Sequence, residues 1–205
     1  MVSNMTIDHN FPSRDYDDLM DMVDSTLAMG IIDEDRLYVS GCSAGGTLTA
    51  WIVGKTDRCW AAAVINPAIN AVSWGLIDDV NKQSVNGWYA DVPWNDPMDC
   101  WFHSPLSLLE NVTTPTMIMT GEEDWRTPIS ESESESESES ESESESESEL
   151  YLTALQVKRV ITLLLRVPGA SHWIEARPSH LIVKVNAIFA WCERYGKQVT
   201  ASIRP

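Results

Sequence analysis

Between Arg36 and Gly54 the chain passes from a short β-prone stretch, Arg36-Leu37-Tyr38-Val39-Ser40, through Gly41-Cys42-Ser43-Ala44-Gly45-Gly46 into a helical segment ended by Gly54. A strand that turns over glycines directly into a helix is the opening of a crossover, the connection that brings the next strand in parallel. Three further runs fit the same scheme. Trp60 to Ile65 ends at Asn66-Pro67, Thr116 to Thr120 ends at Gly121, and Ile161 to Val167 ends at Pro168-Gly169. All are almost continuously apolar, as strands buried on both faces are. The expected class is α/β, a parallel sheet flanked by helices.

Two amphipathic stretches bracket these runs. From Asp15 to Met29, the residues Tyr16, Leu19, Met20, Val23 and Leu27 form one stripe, with Ser13 or Asp15 as candidate N-cap and Gly30 as the stop. That face is expected to bury against the sheet. From about Pro178 to Tyr195 the expected buried stripe is Leu181, Ile182, Val185, Ile188, Phe189 and Cys192. Ala71 to His103 is irregular and holds Trp74, Trp88, Tyr89, Trp94 and Trp101. These aromatics either pack between elements or wall a pocket, and in the second case Trp88, Tyr89 and Trp94 are the candidate substrate contacts.

Charge narrows the partners. The 205 residues, the length of one domain, carry 14 Lys+Arg against 31 Asp+Glu, a net charge of −17. Ten of the acids belong to consecutive Ser-Glu pairs from Ser130 to Glu149, so the rest of the chain is only mildly acidic. A surface of that sign repels phosphates and argues against nucleic acid. No window reaches the roughly 18 apolar residues of a membrane span, and Met1 to Asn10 lacks a signal-peptide pattern. No membrane partner is expected, and the cytoplasm is the default. Cys42, Cys59, Cys100 and Cys192 have no metal-ligand spacing and read as buried free thiols, so no metal is expected.

Gly41-Cys42-Ser43-Ala44-Gly45 fits G-x-S-x-G in the strand-to-helix context that the motif requires. Such a turn lifts the Ser43 hydroxyl clear of the sheet, and Cβ atoms at Gly41 and Gly45 are expected to collide with neighbouring backbone. The Ala44 N–H can donate to an oxyanion. Serine attacks only when a base takes its proton and an acid orients that base. Asp124 and His172 both follow core strands, where the loops of an open parallel sheet converge with the Ser43 turn. His9, His103 and His180 lack that placement, and Glu122 and Glu123 compete with Asp124.

A series of stretches runs along the chain: Asp15-Tyr16-Asp17-Asp18-Leu19-Met20, Asp35 to Gly41 into Ser43-Ala44-Gly45-Gly46, Ser104-Pro105-Leu106-Ser107, Thr114-Pro115-Thr116, Gly121-Glu122-Glu123-Asp124 with Thr127-Pro128, and Pro168-Gly169-Ala170-Ser171-His172. In these the chain resembles the C-terminal catalytic domain of the prolyl oligopeptidase family of serine peptidases, in its dipeptidyl and acylaminoacyl peptidase branch. The resemblance implies an α/β-hydrolase sheet, with Ser43 as nucleophile, Asp124 as orienting acid and His172 as base. It implies hydrolysis of short peptides without a cofactor.

The resemblance also sets expectations about what differs. The family's first strands, and the loop that gives a second oxyanion donor, precede the helix at Asp15, so only the second half of the sheet is expected here. One missing donor typically costs about 10²–10³ in rate. The Arg36–Ser40 strand is then left with an unpaired edge, open to self-association. Relatives have a short Ser-Glu stretch after Pro-Ile, so residues 130–149 read as a low-complexity expansion inside a partial hydrolase domain. Cys42 and Trp173 replace residues that are small in relatives. The alternatives to a peptidase are a catalytically silent relative acting through strand-edge association and an esterase for small acyl groups.

Overall fold

The computed structural model describes residues 9–77, 88–89, 91–127 and 146–196. Helix α1 spans Arg14–Ala28, and the chain leaves it through Gly30 at φ +69. Ser13 occupies the N-cap position without a side-chain capping bond; instead its N–H donates to Asp15 Oδ1. The next turn explains why the first strand begins later than expected. Asp33 accepts the Asp35 N–H at 3.1 Å and the Arg36 Nε at 2.7 Å, so Glu34–Arg36 closes into a 3-10 turn. Strand β1 then runs Tyr38–Cys42, and helix α2 runs Ala44–Lys55. Gly54 does not end α2. It lies inside the helix, where a Cβ would stand 2.6 Å from Leu108 Cβ.

Strand β2 is Ala61–Ile65, followed by helix α3 at Ala71–Ile77 and the short helix α4 at Pro97–Phe102. Strand β3 is Thr116–Glu123, helix α5 is Glu147–Val157, strand β4 is Thr162–Ser171, and helix α6 is Pro178–Gly196. Neither Gly121 nor Pro168-Gly169 stops its strand. β3 and β4 stay paired to Glu123 and Ser171 across an irregularity between Gly121 and Glu123. All pairs are parallel, in the order β1-β2-β3-β4, so β1 is paired on one side only among the described residues.

The core has two layers. On one face Ala62, Val64 and Ile118 pack against Ala50 and Val53 of α2 and Tyr151 and Leu155 of α5. On the other, Ala61, Ala63, Ile65, Met117 and Met119 meet Ala187, Ile188, Trp191 and Tyr195 of α6. The stripe expected to be buried on α6 therefore faces the wrong way. Leu181, Ile182, Val185 and Phe189 are exposed, while Ile188 is partly buried. Likewise α1 buries no residue, and Leu19 is exposed. Helix α1 leads into the edge strand, so no further described strand lies beyond β1 for its apolar face to cover.

The segment expected to be irregular forms a small core of its own. Trp74, Tyr89 and Cys100 are buried with Ala68 and Ala71, and Trp88 packs on them. Of the cysteines, Cys100 is buried and Cys42, Cys59 and Cys192 are half-buried, all four as free thiols. Among the described residues no helix is long and apolar enough to cross a membrane. Within the Ser-Glu tract, residues 130–145 lie outside the described residues. Its last four residues do not behave as solvated repeat. Ser146 and Glu149 form a reciprocal capping box, and Glu147, at the first turn of α5, is buried.

Candidate active site

Ser43 sits at the apex of the β1–α2 turn with φ +59 and ψ −123, a strained conformation that persists only where its surroundings hold it. Its N–H donates to the Ile65 carbonyl at 2.9 Å, which locks the turn to the end of β2. The glycines around it divide differently from expectation. A Cβ on Gly41 would stand 2.2 Å from the Gly45 carbonyl oxygen, whereas a Cβ on Gly45 would meet nothing within 4 Å. Gly46 carries the second steric demand, because its Cβ would lie 2.3 Å from the Ile65 carbonyl oxygen. The strand, turn and helix interlock through Gly41 and Gly46.

Asp124 follows β3 and His172 follows β4, and the pairing of those strands brings them together. The Ser43 Oγ lies 2.8 Å from His172 Nε2, and His172 Nδ1 lies 2.9 Å from Asp124 Oδ2 and 3.0 Å from Oδ1. Asp124 is 2% exposed and His172 7%. Burial alone would push the Asp124 carboxyl up. The hydrogen bond and charge of His172, with the N–H and hydroxyl of Thr127, outweigh it and hold the carboxyl below the usual carboxylate range. Arg126 N–H adds a further bond to Oδ1 at 2.9 Å. Glu122 and Glu123 are exposed at the end of β3. The other histidines point elsewhere: His9 to the Tyr89 carbonyl, and His103 to Asp99 and Asn10.

The Ala44 N–H is the first amide of α2, where helix geometry provides no intrahelical acceptor and favours negative charge. The candidate pocket residues do not gather in one place. Tyr89 is 1% exposed within the small core, Trp88 is wedged between Phe11 and Trp74 with ring centroids 4.6 and 4.8 Å away, and Trp94 is 70% exposed. The first two pack rather than line an open surface.

Asn66 is the residue that the sequence disguised as a strand terminator. It is fully buried, in left-handed conformation at φ +44. Its Nδ2 donates to the His172 carbonyl at 2.6 Å, and its Oδ1 accepts the Gly121 N–H at 3.2 Å. Only this orientation of the amide satisfies both partners. One side chain thus ties the end of β2, beside Ser43, to the strand carrying Asp124 and the loop carrying His172. A polar residue closing an otherwise apolar run was the sole hint of it.

Known proteins resemble this chain in sequence and in fold. The model of the prolyl oligopeptidase family matches residues 4–135. A Bacillus subtilis protein, described as the uncharacterised peptidase YuxL, is 32% identical over 189 residues, which are 91% of this chain and 26% of that protein. The acylamino-acid-releasing enzyme of Arabidopsis thaliana is 30% identical over 194 residues, 90% of this chain and 23% of that enzyme. The chain thus spans about a quarter of the length of these relatives. Among solved structures, uncomplexed Pyrococcus horikoshii acylaminoacyl peptidase superposes with a TM-score of 0.80 at 18% identity, over 97% of this chain and 30% of that one. That likeness shows the fold, an α/β-hydrolase sheet. With its family model matched over most of its length, its relatives collinear and its Ser43, Asp124 and His172 within hydrogen-bonding distance, the chain belongs to the prolyl oligopeptidase family.

Proposed function

We propose that this chain performs serine-peptidase chemistry on short peptides. The observation that carries the reading is the continuous line from Ser43 Oγ to His172 Nε2 and from His172 Nδ1 to the buried Asp124 carboxylate. Ser43 Oγ attacks the scissile carbonyl while His172 takes its proton. Asp124 keeps the imidazole oriented and stabilises the imidazolium that forms. The Ala44 N–H donates to the oxyanion, and His172 returns the proton to the leaving amine, leaving an acyl group on Ser43. Water repeats the cycle and frees the acid. The names of two relatives, an acylamino-acid-releasing enzyme and a dipeptidyl-peptidase, support the choice of short peptides for this chain.

Labelling with a fluorophosphonate probe tests the reading. The wild-type chain is expected to label and Ser43→Ala is not, while folded wild-type protein that stays unlabelled sinks it. Comparing peptide amides with simple esters then separates peptidase from esterase.

A second reading, association through the sheet edge, is favoured by the one-sided pairing of β1 among the described residues. The Leu37 carbonyl and the Ser43 N–H bond toward β2, so the alternating Tyr38, Ser40 and Cys42 direct their backbone groups to the open side. Exposed Met22 on α1 and exposed Ile182 and Phe189 on α6 add apolar surface.

A further inference from the structure

Proton return sets where the leaving group stands. For His172 Nε2 to protonate the departing amine, that nitrogen must lie within about 3 Å of it. The first side chain beyond the scissile bond therefore emerges beside the imidazole. Trp173 occupies that neighbourhood. Its ring centroid is 5.5 Å from that of His172, edge to face at 77°. The indole is unusually free for so large a side chain, with Trp173 58% exposed.

The backbone beneath it is fixed. Trp173 caps the 3-10 turn Ile174–Ala176, its carbonyl accepts the Ala176 N–H at 2.9 Å, and Ile174 is fully buried in the core under α6. Glu175 pins the same turn to α6 through Lys184 at 2.8 Å. A large apolar ring on an anchored turn, left in water beside the base, is prepared to stack on a ligand at low ordering cost.

Resting on the serine-peptidase reading above, we propose that Trp173 is the floor of a leaving-group subsite that takes an aromatic or large apolar side chain on the residue after the scissile bond. An amine attacking the acyl-enzyme occupies the same place in reverse. Its nitrogen bonds to the acyl carbon, the ester bond to Ser43 breaks, and His172 passes the amine proton to Ser43 Oγ. The subsite can therefore be read without a peptide substrate.

The acyl-enzyme is formed from an N-acyl amino acid p-nitrophenyl ester and partitioned between water, phenylalanine amide and glycine amide. The wild-type chain is expected to prefer phenylalanine amide over glycine amide about fivefold beyond their ratio in solution. Trp173→Ala loses that preference and Trp173→Phe keeps it, while fluorophosphonate labelling of Ser43 continues in both. Should Trp173→Ala fold poorly, Trp173→Leu, which keeps apolar bulk without the ring, carries the same comparison. An undiminished preference in Trp173→Ala or Trp173→Leu that still labels overturns the subsite. Failure of the wild-type chain to label at all overturns the hydrolase reading, and the subsite with it.

Discussion

Adding one methyl group separates the roles of the three glycines in the turn. Gly41→Ala and Gly46→Ala drive a Cβ into carbonyl oxygens at 2.2 and 2.3 Å, so both are expected to abolish soluble, folded protein. Gly45→Ala meets open space and should melt no lower than wild type, since alanine gains about 1 kcal/mol over glycine in a helix. Thermal denaturation of the three variants checks the contrast. Asn66→Ala removes the link between the His172 carbonyl and the Gly121 N–H, and a displaced base is expected to slow Ser43 labelling about 10²-fold. Asn66→Asp keeps the acceptor but sets a carboxylate against the His172 carbonyl, so it should not rescue the rate. Asp124 also carries a pH dependence. Its carboxyl is held below the ordinary value, so its ionised form stabilises the fold above about pH 4, and that contribution fades as pH falls through the lowered value. The stability gap between wild type and Asp124→Asn should therefore narrow as pH falls below about 4 in denaturant titrations. Ser43, Asp124 and His172 were legible in the sequence because each chemistry-bearing residue directly follows a recognisable strand. Asn66 was not, because its partners lie 55 and 106 residues away.

The start of α5 shows that the end of a repetitive tract can carry structure. Glu147 accepts the Ile69 and Asn70 N–H groups at 2.9 and 2.8 Å and the Ser73 hydroxyl at 2.6 Å, so it joins α5 to the start of α3. Burial pushes its carboxyl up, against these three bonds. Glu147→Ala strands one buried and one half-buried amide and is expected to cost about 2–4 kcal/mol, whereas Glu147→Gln keeps an acceptor and should cost little near neutral pH. Denaturant unfolding distinguishes them. Deleting residues 130–145 leaves Ser146, Glu147 and Glu149 in place, so Ser43 labelling is expected to survive it. Element boundaries were the less legible part of the fold. A side-chain bond from Asp33 delays β1, and Leu108 rather than solvent meets Gly54. Periodicity revealed that α6 is amphipathic but not which side Trp191 would bury, because residues 181–195 hold apolar side chains on more than one face.

At the scale of the whole sheet, the strand that bears the nucleophile is also, among the described residues, the strand at its edge. If two copies pair there, sizing chromatography should show a dimer, and Ser40→Pro should return it to monomer. Ser40 turns its N–H away from β2, so proline at that position removes an outward donor without breaking the described ladder. A monomer in both proteins at high concentration sinks the association. The parallel order of the four strands was legible from runs separated by helical stretches, since each apolar run had room for one crossover before the next. The exposed faces of α1 and α6 were not, because an apolar stripe records what a helix can cover and not what is there to be covered. The geometry of β1 also writes a pattern into isotope exchange. Val39, Gly41 and Ser43 have amides turned into the sheet, while those of Tyr38, Ser40 and Cys42 face outward. In deuterated water the strand should therefore read as a comb, with slow and fast amides alternating up to the nucleophile itself, and any strand that docks alongside would fill in the teeth.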